Sequence, residues 1–200
     1  CQQRPPAMVG ADEAHCVVQW GDAFRPSYQQ IGQFVASLPR RPVLCAMTAT
    51  ADKQLQRGIV QSLGLRHPKR IVMPVERPNL HYSVLPTVHV TDAILRALQK
   101  IPGKAVVFCR LRARTESLAE LLNRAGIPAA AYHAGLNREE RSRVVQAYLS
   151  GRIRVVTATS AFGMGVDIPD IRLILHDHLP TNMIDYVKQS GRAWRYLESA

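Results

Sequence analysis

The sequence predicts an α/β protein with two lobes, each built on a parallel β-sheet. Short apolar stretches typical of buried strands alternate along the chain with longer amphipathic stretches typical of helices. This alternation stops at residues 67–89, a stretch that contains four prolines, and then restarts. We therefore expect a first lobe over residues 1–75, a linker over residues 76–90 and a second lobe over residues 91–200.

The individual elements follow from the same patterns. In the first lobe we expect strands at residues 6–11 and 42–50, the second buried throughout, and helices at residues 28–39 and 51–65. Asp52 is a candidate cap for the second helix, and Gly64 marks its end. In the second lobe we expect helices at residues 91–101, 113–126, 137–149 and 182–193, and strands at residues 104–110, 129–135, 153–163 and 171–178. Only two strands precede the linker, so the first lobe looks incomplete.

The charge of the chain indicates what kind of molecule it binds. The chain has 26 Lys and Arg against 15 Asp and Glu, a formal net charge of +11. A surplus of this size favours an anionic partner, and nucleic acid is the commonest, although an arginine-rich surface alone would give the same number. There is no apolar run of about 18 residues and no signal peptide, so we expect no membrane association.

The four cysteines are scattered, and none forms a C-x-x-C pair. This spacing disfavours a zinc site and is typical of reduced thiols in a cytosolic protein. Cys45 and Cys109 lie inside apolar runs, where we expect them to pack in the core.

Two adjacent carboxylates, Asp12 and Glu13, follow the first predicted strand, and His15 comes two residues later. Ligands of open α/β sheets bind beyond the carboxyl ends of the strands. Mg²⁺ is typically held there by one or two carboxylates together with substrate phosphates, and a neighbouring carboxylate can activate a water. A solvated turn is the simpler alternative, but it does not explain a strand, two acids and a histidine in this order. A zinc protease is disfavoured because there is no H-E-x-x-H.

Several motifs together resemble the RecQ helicases of superfamily 2. DEAHC at residues 12–16 resembles their Walker B box, and QWGDAFRPSY at residues 19–28 their aromatic-rich loop. MTATA at residues 47–51 resembles motif III, and ERPNLHYSV at residues 76–84 the crossover between lobes. Motifs IV, V and VI correspond to residues 105–122, 155–180 and 188–195. The resemblance implies two RecA-like lobes, the first truncated at its N-terminal side.

The resemblance also implies a set of nucleotide-site residues. Asp12 would support Mg²⁺ through water, Glu13 would activate the hydrolytic water, and His15 would link the nucleotide to the DNA-sensing loop. Arg192 and Arg195 stand at the two arginine-finger positions, and such fingers contribute about 10³–10⁵ in rate. Catalytic residues would thus be Asp12, Glu13, His15, Arg192 and Arg195, and ATP contacts would come from Asp12, Asp167, Arg192 and Arg195, with Asp167 close to the ribose.

Further residues are candidates for binding DNA or for coupling. Aromatic faces stack on bases, which makes Trp20 and Phe24, together with Arg25, candidate DNA-binding residues. Thr157 and Thr159 could hold a nucleic-acid phosphate through their hydroxyls. Coupling roles are implied for Thr48, Thr50 and Gln189. For His133 the alternatives of a satisfied polar group and a direct DNA contact stay open, and His176 and His178 are interpreted as structural.

The function implied is that of an ATP-dependent 3′–5′ DNA helicase, with ATP and Mg²⁺ as cofactors. Its partners would be single-stranded and partly duplex DNA. The protein would act in DNA repair and recombination, and it would be located in the bacterial cytoplasm, at the nucleoid. No G-x-x-x-x-G-K-[ST] phosphate loop is present, so we expect that element upstream, zinc-binding and winged-helix modules downstream if the parent has them, and no activity of this segment alone.

Two other interpretations remain. The first is a nucleic-acid-binding remnant that has lost hydrolysis, because Lys188, Gln189 and Trp194 depart from motif VI. The second is an RNA helicase of the DEAH group, which explains the aromatic-rich loop poorly. We also expect the first lobe, with its exposed apolar edges, to be unstable in isolation and to be trimmed by proteases back to about the proline-rich linker.

Overall fold

The computed structural model describes residues 6–18, 26–49, 51–73, 77–162 and 168–193. The chain divides into two compact units, Cys1–Val75 and Glu76–Ala200. Both units combine helices with parallel strands, which confirms the predicted α/β class. Among the residues described, no helix has the length and apolar character needed to cross a membrane.

The first unit contains a small parallel sheet. Strand β1 is Met8–Ala11 and strand β2 is Val43–Ala46, and Met8 lies opposite Val43. A 3-10 turn, Ala14–Val17, follows β1. The helices are α1 (Pro26–Gln29), α2 (Ile31–Ser37) and α3 (Lys53–Ser62).

Helix α3 is shorter than the predicted 51–65, but Asp52 and Gly64 mark its ends as the sequence predicts. The Asp52 side chain accepts a hydrogen bond of 2.7 Å from the backbone N–H of Leu55, which satisfies one of the donors that every helix start leaves open. Gly64 follows the helix with φ +60, a conformation that favours glycine.

Two predictions for the first unit are wrong in detail. The helix expected at residues 28–39 is split at Gln30, whose N–H bonds to the carbonyl of Ser27 in a tighter 3-10 manner. The strand expected at residues 42–50 is shorter and is not buried throughout: Val43 is 68% exposed and Cys45 is only partly buried. The reason is that the described sheet has two strands, and the cluster of Ala11, Ala14, Val17, Ile59 and Leu63 covers one of its faces.

The second unit is larger and follows the predicted order of elements. Its strands are β3 (Lys104–Phe108), β4 (Ala129–Tyr132), β5 (Val155–Ala158) and β6 (Ile171–His176). Its helices are α4 (Val90–Lys100), α5 (Arg112–Arg124), α6 (Arg138–Leu149) and α7 (Met183–Ser190). All strand pairs are parallel, in the order β4-β5-β3-β6.

Hydrophobic residues cover both faces of this sheet. Along β3, Ala105 and Val107 belong to one buried cluster, and Val106 and Phe108 belong to another. This assignment follows from the alternation of side chains along a strand. Because both faces are covered, the strands read as continuous apolar runs, which is why the sequence predicted them well.

Local signals fix the ends of the helices in this unit. Asn137 and Glu140 form a reciprocal capping box at the start of α6, with bonds of 2.8 and 2.9 Å. Asn182 caps α7 by accepting from the N–H of Asp185 at 2.8 Å. Gly126, with φ +78, follows α5.

Between residues 65 and 89, the part that the structure describes holds no helix or strand.

Candidate functional sites

The acid pair lies at the carboxyl end of β1, where the sequence placed it. Asp12 directly follows the strand, and its Oδ1 accepts a hydrogen bond of 2.8 Å from the N–H of Glu13. Glu13 has φ +49, in the left-handed region that a non-glycine residue rarely adopts. This conformation turns the chain sharply from the strand into the 3-10 turn and leaves both carboxylates with access to solvent.

His15 connects the acid pair to β2. Its buried ring places Nδ1 3.1 Å from Oε2 of Glu13 and 3.0 Å from Oγ1 of Thr48. The backbone reinforces the connection, because the N–H of Ala14 donates to the carbonyl of Met47 at 2.9 Å. The structure therefore brings Glu13, His15 and Thr48 together into one cluster, which we call the acid cluster with Asp12 included.

The oxygen atoms of the acid cluster suit a hard cation. Mg²⁺ prefers carboxylate oxygen and water, and it is usually held by one or two carboxylates plus substrate phosphates. Across the described ranges there is no group of three or more His, Cys, Asp or Glu that could hold a metal ion. Asp12 and Glu13 are two carboxylates at this strand end that could contribute ligands to such an ion.

In the second unit, four strand ends form one edge of the sheet. The register places Tyr132, Ala158, Phe108 and His176 side by side at the carboxyl ends of their strands. The next residues, His133, Thr159, Cys109 and Asp177, therefore start the loops along this edge. We call this row and the loop residues that follow it the carboxyl edge. In open α/β sheets this is where ligands bind.

Exposed cationic side chains lie at the carboxyl edge. Asp177 is already paired with Arg114, whose Nη2 donates to Oδ1 at 2.7 Å and also to Thr91 at 2.9 Å. Arg110 and Arg112, which follow β3, are exposed. Burial lowers the pKa of His178, Asp177 opposes this effect, and nearby Arg110 adds to it. The exposed guanidinium groups of Arg110 and Arg112 are therefore the main cationic groups among the described residues of the carboxyl edge, and they suit an anion such as phosphate.

The prediction for Thr157 does not fit the structure. Thr157 lies inside β5 and is fully buried, and its hydroxyl donates to the carbonyl of Thr115 at 2.7 Å. A hydroxyl enclosed and bonded in the core cannot hold a phosphate, so its role is to join β5 to α5. Thr159, one residue beyond β5, lies at the carboxyl edge and is partly exposed.

His133 is a buried polar group with a partner. Its ring is 4% exposed, and Nε2 lies 3.0 Å from Oε1 of Glu116 on α5. This contact satisfies Nε2, but the buried Nδ1 has no hydrogen-bond partner within the described residues, so both alternatives for His133 stay open. The contact with Glu116 also anchors the loop after β4 to α5.

Helix α7 is attached to the sheet through His176. The imidazole Nε2 of His176 lies 2.9 Å from Oε1 of Gln189, and its ring lies between Phe108 and Tyr186 at centroid distances of 5.6 and 5.5 Å. Burial lowers the pKa of His176, which favours the neutral ring, while the hydrogen bond to Gln189 opposes this effect. These contacts support the structural interpretation of His176 and give Gln189 a defined partner.

Arg192 lies in the turn that ends α7. Its N–H donates to the carbonyl of Gln189 at 3.3 Å, and the N–H of Ala193 donates to Ser190 at 3.1 Å. The position of Arg192 thus depends directly on α7. The other predicted site residues, Trp20, Phe24, Arg25, Thr50, Asp167 and Arg195, lie outside the described residues.

Sequence reasoning missed three contributors to these sites. Arg110 is not among the site residues predicted from the sequence, although an arginine directly after a buried strand is a signal for the carboxyl edge. The pairing of Arg114 with Asp177 and the contact of Arg77 with the end of α7 join residues far apart in the chain. No pattern of neighbouring residues in the sequence predicts such contacts.

Known proteins match both units. The family described as helicase conserved C-terminal domain matches residues 88–197, more than half of the chain. The chain belongs to this family.

Among curated relatives, the ATP-dependent DNA helicase RecQ of Pasteurella multocida is 36% identical over 190 residues, covering 94% of this chain and 30% of that protein. RecQ of Synechocystis is 39% identical over 199 residues, covering 94% of this chain and 41% of that protein. These matches confirm the predicted RecQ-family identity. The chain spans less than half the length of these helicases.

A solved structure of S. cerevisiae Dbp5 bound to RNA and ADP BeF3 is similar in fold. It matches with a TM-score of 0.68 and 18% identity, over 93% of this chain and 49% of that chain. At this identity the match bears on the fold alone, and it agrees with the α/β architecture of this chain.

Proposed function

We propose that this helicase chain is part of an ATP-dependent DNA helicase that moves 3′–5′ along single-stranded DNA and opens duplexes. The observation that carries the proposal is the acid cluster, in which Glu13, His15 and Thr48 meet at the carboxyl end of a parallel strand. The names of the RecQ relatives support it, because they are ATP-dependent DNA helicases.

In this proposal the acid cluster serves hydrolysis. Asp12 would hold Mg²⁺ through water, and the ion would neutralise charge on the ATP phosphates. Glu13 would accept the proton of the attacking water, since its carboxylate is partly exposed at 45% and is oriented by His15. His15 and Thr48 would transmit conformational changes in the acid cluster to the loop that follows β2.

The carboxyl edge of the second unit would hold the DNA strand. Arg110 and Arg112 provide exposed positive charge there, and Thr159 provides a hydroxyl at the same edge. Contacts of this kind bind phosphate without reading the sequence of bases, which suits an enzyme that must move along any strand.

Arg192 would stabilise the charge that develops on the transferred phosphoryl group. A guanidinium presented on a firmly held turn can do this because its geometry is set before the reaction. Arg195 would be the second such group. ATP and Mg²⁺ are the cofactors of the proposal, and single-stranded or partly duplex DNA is its substrate.

The test is ATP hydrolysis by the whole protein in the presence of single-stranded DNA. Glu13→Gln should lower kcat by about 10²–10⁴, the usual contribution of a general base, with little change in KM for ATP. Glu139→Gln, an exposed acid in the first turn of α6, is the matched control. Unchanged turnover in Glu13→Gln would overturn the proposed role of the acid cluster.

The direction of movement needs its own assay. Duplexes with a single-stranded tail at either the 3′ or the 5′ end should be opened only when the 3′ tail is present. Opening from the 5′ tail would contradict the proposed polarity.

The alternative of a binding remnant without hydrolysis predicts a different pattern. Its motivation is the departure from motif VI at Lys188, Gln189 and Trp194. It predicts salt-sensitive binding of single strands that ATP does not change. A large gain of ATPase activity on Trp194→Gly would indicate a weakened hydrolytic site, whereas no gain together with no basal turnover would favour the remnant.

We place this protein in the bacterial cytoplasm, at the nucleoid, in DNA repair and recombination. The net charge of +11 supports attraction to DNA. Fluorescence imaging of the tagged protein should show signal over the DNA, and a signal confined to the membrane would contradict this placement.

A further inference from the structure

The segment at the start of the second unit contacts the end of α7. Arg77 donates from Nη2 to the carbonyl of Ala193 at 3.2 Å, and its Nε donates to Oδ1 of Asn79 at the same distance. Residues 77 and 193 are 116 positions apart, so this contact joins the beginning of the unit to the turn that carries Arg192.

Tyr82 provides a second contact from the same segment. Its ring lies 5.8 Å from that of Tyr186 on α7, and its hydroxyl oxygen lies 3.5 Å from Oγ of Ser190. Ser190 in turn donates to the carbonyl of Tyr186 at 2.8 Å. Arg77 and Tyr82 therefore hold both the last turn of α7 and the residues that follow it.

The Arg77 contact fixes the turn that follows α7, because Ala193 lies two residues beyond Gly191, the C-cap of the helix. A backbone carbonyl in such a turn needs a hydrogen-bond donor, and a guanidinium supplies one. Ala193 is the neighbour of Arg192 in the chain, so a guanidinium bound to its carbonyl restrains the backbone immediately after Arg192. A bond with a charged donor is also stronger than a neutral one.

We propose that Arg77 is a positioning residue for Arg192: it fixes the turn after α7 so that the Arg192 guanidinium is held ready for the phosphoryl group. The inference rests on the proposed function, in which Arg192 acts on ATP. Arg77 itself does not touch the nucleotide in this scheme. Tyr82 assists it by holding Ser190, the last residue of α7.

The first test is amide hydrogen exchange in this chain, which does not depend on activity. Arg77→Ala should speed exchange at Arg192 and Ala193 about tenfold, the effect of losing one hydrogen bond to a charged group. Exchange in α5 should not change. Arg77→Lys should restore part of the protection, because it keeps the charge but loses the planar geometry.

The matched control is Arg124→Ala on α5. Arg124 is 81% exposed and pairs with Glu120, four residues earlier on the same helix, so its removal should leave exchange near α7 unchanged. Equal exchange in Arg77→Ala and the control would overturn the inference.

The second test is the ATPase of the whole protein, with Arg192→Ala measured in parallel. Arg77→Ala should lower kcat about tenfold and leave KM for ATP and the affinity for single-stranded DNA within about twofold, as a loss confined to the transition state does. If Arg192→Ala lowers kcat and Arg77→Ala does not, this inference alone is wrong. If Arg192→Ala keeps full turnover, the finger role in the proposed function fails, and the positioning role fails with it.

Discussion

The Nδ1 atom of His15 lies 3.0 Å from Oγ1 of Thr48 and 3.1 Å from Oε2 of Glu13. One buried ring therefore touches both the acid that follows β1 and the threonine that follows β2. Because the His15 ring is buried, a movement of Glu13 or of Thr48 is transmitted to the other residue through these two contacts. In the proposed function, this arrangement would relate hydrolysis to DNA binding.

Thr48→Val removes the hydroxyl and keeps the shape of the side chain. We expect the stimulation of ATPase by single-stranded DNA to fall about two- to tenfold, the effect of losing one hydrogen bond, while the rate without DNA stays the same. The measurement is ATPase of the whole protein with and without DNA. Thr87→Val, in an exposed segment, is the control. Equal stimulation in the two variants would show that the contact has no coupling role.

Arg110→Gln tests the carboxyl edge. The variant loses an exposed cation next to His178, and we expect weaker binding of single-stranded DNA by this chain. The slope of log K against log salt concentration should shrink by about 0.7, as for one lost phosphate contact. Fluorescence anisotropy across a salt series measures it, with Arg124→Gln as control. A slope that matches the control would place the DNA elsewhere.

Alkaline pH should weaken the second unit through Cys109. Burial raises the pKa of its thiol from 9.0 to about 12, and the charge of Asp177 adds to this while Arg114 opposes it. In the unfolded chain the Cys109 thiol loses its proton near pH 9, whereas in the folded chain it keeps the proton up to about pH 12. The contribution of the neutral thiol to the free energy of unfolding is therefore complete below pH 9 and is lost as the pH rises to about 12. The slope reaches about 1.4 kcal/mol per pH unit.

Urea unfolding at a series of pH values from about 8 to 9.5, where ordinary Tyr side chains are mostly protonated, checks this expectation. Cys109→Ala should flatten the loss of stability, whereas Cys45→Ala, in the other unit, should not. An unchanged slope in Cys109→Ala would mean that another group titrates.

Arg154→Ala should destabilise the second unit. Its guanidinium donates to the carbonyls of Leu98, Ile101 and Gly103 at 2.5, 2.6 and 2.8 Å, and so satisfies the end of α4. We expect a loss of about 2 kcal/mol in the free energy of unfolding, the range for bonds to a charged group. Arg152→Ala removes one longer bond to Ser150 and should cost less than about 0.5 kcal/mol. Equal losses would refute the capping role.

The fold was predictable where local pattern and burial agree. Strand β3 is an apolar run with both faces covered, and Asp52 is a short polar residue directly before a helix, so both signals are contained in a few residues. The acid cluster was predictable in part, because Asp12, Glu13 and His15 are adjacent in the chain. Its connection to Thr48 came from the resemblance to RecQ helicases.

The rest depended on contacts between distant residues. Thr157 was assigned to phosphate binding because it stands near a strand end, but its hydroxyl is bonded to Thr115, 42 residues away on α5. Arg77 gave no local signal, since its partner Ala193 lies 116 residues further on. The exposure of Val43 follows from how few strands the described sheet of the first unit contains, which the residues of β2 do not encode.

The most direct test of the central claim is a double-mutant comparison of Glu13→Gln and Arg192→Ala in single-turnover ATP hydrolysis by the whole protein. If both residues serve one hydrolysis reaction, each change should be severe and the combination should be hardly slower than the worse single variant. Two losses that multiply fully, or a single variant that hydrolyses ATP at the normal rate, would contradict the account.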